Sequence, residues 1–339
     1  MRKTLLALLL LATAAVQAQV QLKEGHPESH IVVKGDTLWD ISGKFLSQPW
    51  KWPEIWHANP QVVNPHLIYP GDRLNLVYID GQPRIMLNRG ANRGTIKLSP
   101  QVRRAPMADA IPTIPLDAIQ SFLISNRIIN SKKEFSRAPY VVAGDAERVI
   151  SGQNDRLYVR GKVREYANYG IYRQGRSYID PVTKEFLGIN ADDIGSGEIV
   201  AVERDVSTML LTRTTQEVRV ADRLFPMQKH MIDATFVPSE PRRTINGVIL
   251  DVPRGVSQIG QFDVVTLNKG ARDGLVVGSV LAVYKTGETV RDRISGSSVK
   301  IPDERSGLLM VFRTYDKLSY GLVLYASRQL SVMDKVKNP

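Results

Sequence analysis

"HIVVKGDTLWDISGKF", residues 30–45, changes its apolar spacing part-way along. Ile31-Val32-Val33 is a short β-branched run that suits a strand. Gly35-Asp36 then permits a sharp exit, because glycine adopts backbone angles that other residues avoid. Thr37 can cap a helix, and Asp40 three residues later completes a capping-box-like pair. From there Leu38, Ile41 and Phe45 recur at helical spacing on one face. The stretch predicts strand, tight turn and amphipathic helix.

Working outward, Pro49 closes this helical region and Pro53 suits the first turn of a second helix. Trp52, Ile55 and Trp56 share a face of that helix, and Asn59-Pro60 stops it. "LIYPGDRLNLV", residues 67–77, supplies a turn at Tyr69-Pro70-Gly71-Asp72 followed by alternating Leu74 and Leu76. That alternation marks a second strand. The order is strand, helix, helix, strand. All four tryptophans of the chain, Trp39, Trp50, Trp52 and Trp56, fall within this unit. Their area compensates for a core that is otherwise small.

"VKGDTLWDIS", "EIWHANP" and "LIYPGDRLNL" together resemble the landmarks of a LysM domain. The resemblance implies binding of glycans that contain N-acetylglucosamine, chiefly peptidoglycan and chitin. It also implies a shallow groove between two loops, with Gly35, Asp36, Thr37 and Leu38 on one side. Asn59, Pro60, Leu67, Ile68, Tyr69 and Gly71 form the other. Gly35 and Gly71 also read as turn formers, and Leu38 is as suited to the core as to a sugar. Trp39 is the expected exposed aromatic, while Trp50 is expected to pack.

The first eighteen residues read separately. Arg2 and Lys3 precede an apolar run from Leu5 to Val16, and Val16-Gln17-Ala18 suits signal peptidase, so residues 1–18 are expected to be a secretory signal peptide. No later stretch approaches the length of a membrane helix, so the mature chain is expected to have no transmembrane segment. The chain of 339 residues has no cysteine, which excludes disulfides, thiol nucleophiles and a lipid-modified cysteine anchor. An exported, untethered chain without disulfides suits a bacterial periplasm. The formal charge of +11 fits peptidoglycan peptides, anionic headgroups or acidic proteins, and export argues against nucleic acid.

Residues 19–29 read as a disordered lead, 29–79 as the LysM-like domain, and 80–137 as a connector, proline-rich linker and short helix. Beyond Ala138 valine, leucine, threonine and tyrosine dominate, and the pattern repeats. Asp155 in "QNDRLYVRG" answers Asp263 in "QFDVVTLNKG", 108 residues later. Tyr172 answers Tyr284, and Asp222 answers Asp334, each 112 residues later. Such near-constant offsets argue for a tandem duplication. The expected fold is α+β: a small βααβ LysM domain followed by a β-rich C-terminal region of two tandem barrel- or sandwich-like modules, residues 138–237 and 238–337.

"DAIPTIPLDAIQSFL", "GVSQIGQFDVVTLNKGARDGL" and "RDRISGSSVKIPDERSGLLMVFRTYDKLSYGLVL" are similar to the type IV pilus secretin-associated protein family. The C-terminal part is also similar to the C-terminal domain of the flagellar outer-membrane ring protein T. This resemblance implies a periplasmic scaffold that binds peptidoglycan and holds an outer-membrane secretin of the type IV pilus, with a ring-like homo-oligomer around the secretin. A flagellar partner and a peptidoglycan hydrolase, or its accessory subunit, are the alternatives. Hydrolysis fits poorly. Zinc and serine chemistries both need histidine, and only His230 lies beyond Leu67. "HPESH", with His26, Glu28 and His30, reads as an ordinary lead, and "ADDIGSGE" around Asp192 and Asp193 as a turn rather than a calcium site. No catalytic residue, metal or cofactor is expected.

Overall fold

A computed structural model describes residues 20–56, 68–88, 111–115, 118–119, 127–145, 152–227, 236–253 and 258–339. The chain divides into two compact units, residues 1–111 and 112–339. The expected signal peptide lies outside the described residues. Among the described residues no helix is long and apolar enough to cross a membrane.

In the first unit, β1 (Ser29–Ile31) leads into α1 (Leu38–Phe45). The strand sits two residues earlier than Ile31–Val33, although Val32 still bonds across to the next strand. Thr37 caps α1: its Oγ1 accepts the Asp40 N–H at 3.1 Å and donates to the Asp40 carboxylate at 2.7 Å. Pro49–Lys51 forms one 3₁₀ turn that runs into α2 (Trp52–Trp56). Leu38, Ile41 and Phe45 meet Trp52, Ile55 and Trp56 in one core, closed below by Ile68 and Leu74. Trp39 is buried, at 5% exposure, so it is not the exposed aromatic expected from its place beside Ile41. Trp50, at 3%, packs as expected.

Two segments outside the local pattern complete this unit. The lead is ordered rather than disordered. Leu22 bridges to Leu46, the Lys23 N–H donates to the Phe45 carbonyl, and Val20 and Leu22 pack on the core. After β2 (Arg73–Ile79) the chain reverses at Asp80-Gly81, and β3 (Gln82–Asn88) returns along it. The sheet therefore has three strands, β1-β2-β3. Asp80 has φ 50° and Gly81 φ 73°, the pair of left-handed residues that a two-residue hairpin turn of matching twist requires. Ile85 brings an additional buried side chain to the core.

The first described strand of the second unit is β4 (Arg127–Ile129), followed by α3 (Lys132–Arg137). Then come β5 (Tyr140–Gly144), β6 (Arg156–Arg160), β7 (Asn168–Ile179), β8 (Phe186–Glu203), β9 (Val206–Thr214) and β10 (Arg223–Pro226). β4 lies at the edge of this sheet, against β8. The remaining strands pair in the order β5-β6-β9-β8-β7-β10, and β10 returns to β5, so the pairings close into a ring. Asp192 and Asp193 lie inside β8, not in a turn, and Asp193 is engaged by Arg213 at 2.8 Å. A strand prevails there because both residues pair with β7, Asp192 opposite Arg173 and Asp193 opposite Tyr172.

Next follow β11 (Asn246–Asp251), β12 (Val264–Leu267), β13 (Val280–Lys285), the short pair β14 (Thr289–Arg291) and β15 (Ser298–Lys300), β16 (Glu304–Thr314), β17 (Ser319–Ala326) and β18 (Lys335–Lys337). Six of them form a closed barrel, β11-β12-β17-β16-β13-β18. Element for element, this is the cyclic order of the first ring. The turns agree as well. The Asp155 and Asp263 carboxylates accept the Gly152 and Gly260 N–H groups, at 2.7 and 2.8 Å. The Asp222 and Asp334 carboxylates do the same for Arg219 and Ser331, both at 2.8 Å. Each interior is filled by alternate strand residues, with Val159, Ile171 and Met209 in the first and Leu267, Leu281 and Leu309 in the second.

The extended β7–β8 hairpin of the first ring packs against the second barrel. Asn268 donates to the Asp180 carboxylate at 2.8 Å, and the Tyr178 hydroxyl to Asp251 at 3.1 Å. Arg272 grips Glu185 through two bonds, at 2.8 and 2.7 Å, and Lys317 adds a third charge contact at 2.7 Å. Hydrogen bonds from Arg272 and then Lys317 hold the Glu185 carboxyl at about 2.

Candidate functional site

The two loops that the sequence singled out are the same turn built twice. In Val33-Lys34-Gly35-Asp36 the Asp36 N–H donates to the Val33 carbonyl at 3.1 Å, and the Asp36 carboxylate takes the Val33 N–H at 3.0 Å. In Tyr69-Pro70-Gly71-Asp72 the corresponding bonds measure 3.0 and 3.0 Å. Gly35 and Gly71 both have φ 98°, the third position of a type II turn, where a Cβ is strained. Val32 holds the turns side by side. Its N–H donates to the Asp72 carbonyl at 2.9 Å, and its own carbonyl accepts the Gly71 N–H at 2.8 Å.

The ten residues expected to form the groove separate by burial. Gly35 and Gly71 are exposed, and Asp36 and Tyr69 half-buried. Thr37, at 4% exposure, is spent as the cap of α1. Leu38 and Ile68, at 3% and 0%, point into the core, so only their backbone faces the loops. Asn59, Pro60 and Leu67 lie outside the described residues. Thus four of the expected residues reach the surface together, two on each turn.

Two residues join the site that the groove pattern did not include. His30 Nε2 lies 2.8 Å from Asp36 Oδ2, and Lys44 Nζ lies 3.6 Å from Oδ1. Lys44 Nζ also lies 3.3 Å from His30 Nε2. Partial burial raises the Asp36 carboxyl, but the Val33 N–H, His30 and Lys44 outweigh it and hold the group below its ordinary value. The sequence signal for His30 was its closeness to the turn, and no local signal marked Lys44. His30 is the middle residue of β1, and Lys44 sits in the last turn of the capped helix. Among the described residues no group of three or more His, Asp or Glu is placed to hold a metal ion.

The site therefore offers backbone polar groups at two adjacent turns, a half-buried aromatic and a clamped carboxylate. Such a surface suits hydroxyl and amide groups of a sugar, with the Tyr69 ring against an apolar sugar face. Residues 30–77 match the LysM domain. They are a LysM domain. A 60-residue stretch of the chain is also 38% identical to the "Uncharacterized protein YqbP" of Bacillus subtilis (strain 168). That match covers 15% of this chain and 27% of the relative, so the chain spans little more than a quarter of that protein. LysM is a binding domain, not a catalytic one, and it indicates binding of peptidoglycan or a related carbohydrate. LysM domains are typically associated with the cell wall.

Proposed function

We propose that this chain is a non-catalytic periplasmic scaffold, exported by residues 1–18. In this reading its LysM turns grip N-acetylglucosamine-containing peptidoglycan strands, and its double-barrel unit holds an outer-membrane secretin of the type IV pilus. The observation that carries the first half is the pair of identical turns locked together through Val32 within the LysM match. Gly35, Asp36, Tyr69 and Gly71 present the contact surface. The second half is supported by the resemblance that the quoted stretches carry and by the strand-built rings among the described residues of the C-terminal region.

Co-sedimentation with purified sacculi tests the wall contact. The full chain pellets with sacculi, and chitin oligomers release it. Tyr69→Ala weakens retention by about tenfold, the effect of losing one aromatic platform of roughly 1.4 kcal/mol. Retention unchanged by Tyr69→Ala and by excess oligomer overturns the assignment of this groove. Crosslinking in intact cells tests the partner. Capture of a secretin by the double-barrel unit supports the pilus reading, and capture of a flagellar ring component replaces it.

A further inference from the structure

The internal seam of the second unit leaves one half of itself unused at each end. In the first ring the β7–β8 hairpin turns at residues 180–185. The Asp180 carboxylate accepts the Val182 and Thr183 N–H groups at 2.9 and 2.8 Å, and Lys184 has φ 59°. This hairpin covers the outside of β12 and β17, where Asn268 meets Asp180 and the Tyr320 hydroxyl donates to Asn190 at 3.3 Å. Consequently β12 is buried at every residue, on both faces, and so is β17 from Ser319 to Leu324. β6 and β9 occupy the same places in the first ring, yet they alternate between buried and open positions. Their outer face leaves Tyr158 at 36% exposure and Val206 at 39%.

The second barrel carries the same hairpin, 112 residues later. The Asp292 carboxylate accepts the Ile294 N–H at 2.8 Å, and Gly296 has φ 73° where Lys184 stood. Here every residue of β14 and β15 is exposed. Val290 and Val299 are 40% and 47% exposed, and the tip residue Ile294 is 99% exposed. At the first two of these positions the covering hairpin has Tyr178 at 5% and Leu187 at 0%. A two-stranded hairpin alone is marginal in water, and clustered apolar side chains on one mark a surface that packs.

We propose that the β14–β15 hairpin docks on the outer face of β6 and β9 in a second copy of this chain, repeating the internal seam between molecules. Register assigns the pairing. Thr266 and Tyr158 face Tyr320 and Thr208 at equivalent ladder positions, which places Arg160 where Asn268 stands. The Asn268–Asp180 hydrogen bond becomes an ion pair between Arg160, which is exposed, and Asp292 of the neighbour. Hairpin and receptor face are different surfaces, so the contact is heterologous. Each added copy keeps one free hairpin and one free face, and the product is a ring or a filament rather than a closed dimer. This inference rests on the repeat alone and is independent of the sugar-binding reading.

Sedimentation of the purified protein tests it with two substitutions at exposed positions. Val290→Asp spoils the hairpin and leaves the face intact, while Arg160→Asp spoils the face and leaves the hairpin intact. The unaltered protein self-associates beyond dimers as concentration rises. Each variant alone loses at least about tenfold in association with an unchanged circular dichroism melt. Mixing the two variants restores a single interface and gives a discrete dimer. An unaltered protein that stays monomeric at every concentration overturns the proposal, as does a mixture that stays monomeric while both variants remain folded.

Discussion

Asp36 is the residue on which the first turn depends. Its carboxylate takes the Val33 N–H and lies against His30 and Lys44, with the side chain 11% exposed. Asp36→Ala leaves that N–H and both basic groups without their acceptor, at a cost of about 1–3 kcal/mol in chemical denaturation. The acid dependence has a fixed sign. The carboxyl is depressed below 3.8 in the folded chain, so its stabilisation is complete above the unfolded value and is lost as pH falls through the lower folded value. Melting curves from about pH 6 to pH 2 should therefore fall more steeply for the unaltered protein than for Asp36→Asn. A parallel fall in both shows that Asp36 carries no such linkage. The turn itself was legible, because Gly35 and Asp36 act through bonds within four residues. The approach of Lys44 was not, since it depends on where the helix folds back.

At the scale of elements, α1 shows how local rules and packing divide the work. Thr37→Ala removes the cap and costs about 1 kcal/mol, whereas Thr37→Ser retains the hydroxyl and costs little. Phe45, at 0% exposure, is the largest fully buried side chain of this unit, and Phe45→Ala costs roughly 3–5 kcal/mol through the cavity it leaves. Urea denaturation followed by tryptophan fluorescence reports both, since all four tryptophans lie in this unit. β3 falls in a stretch whose sequence reads as a strand pair or an extended connector, and its partner is β2. Asp80-Gly81 between Ile79 and Gln82 is a strong short hairpin signal, and its φ values of 50° and 73° answer to it. Gly81→Val forces a β-branched residue into that left-handed position and should cost about 1–2 kcal/mol by the same measurement. Trp39 and the Asp192-Asp193 pair were beyond reach. The burial of one and the strand conformation of the other come from elements distant in sequence.

For the whole molecule the informative feature is the seam between the two rings. Asp180, Asn268, Asp251 and Asn190 are all nearly buried there, at 5%, 5%, 6% and 8% exposure. Buried polar groups are tolerable only when paired, so they fix one arrangement of the barrels. Asp180→Ala strands the Asn268 amide and two backbone N–H groups, and should lower the stability of the unit by about 1–3 kcal/mol. Hydrogen exchange should then quicken along β12 and β17, whose outer faces the hairpin covers. Exchange confined to the 180–185 turn would show that the rings do not share a cooperative seam.

From sequence alone came what is local or periodic: the capped helix, the paired glycine turns, the LysM landmarks and the evenly displaced aspartates of the repeat. These follow from backbone preferences and from spacing along the chain, which need no partner to act. Only the tertiary structure decided which expected groove residues reach the surface, that a third strand and the ordered lead complete the small core, and that one hairpin is buried while its twin lies open. Those outcomes depend on area removed from water between segments far apart in the chain, and no single stretch of residues contains that quantity.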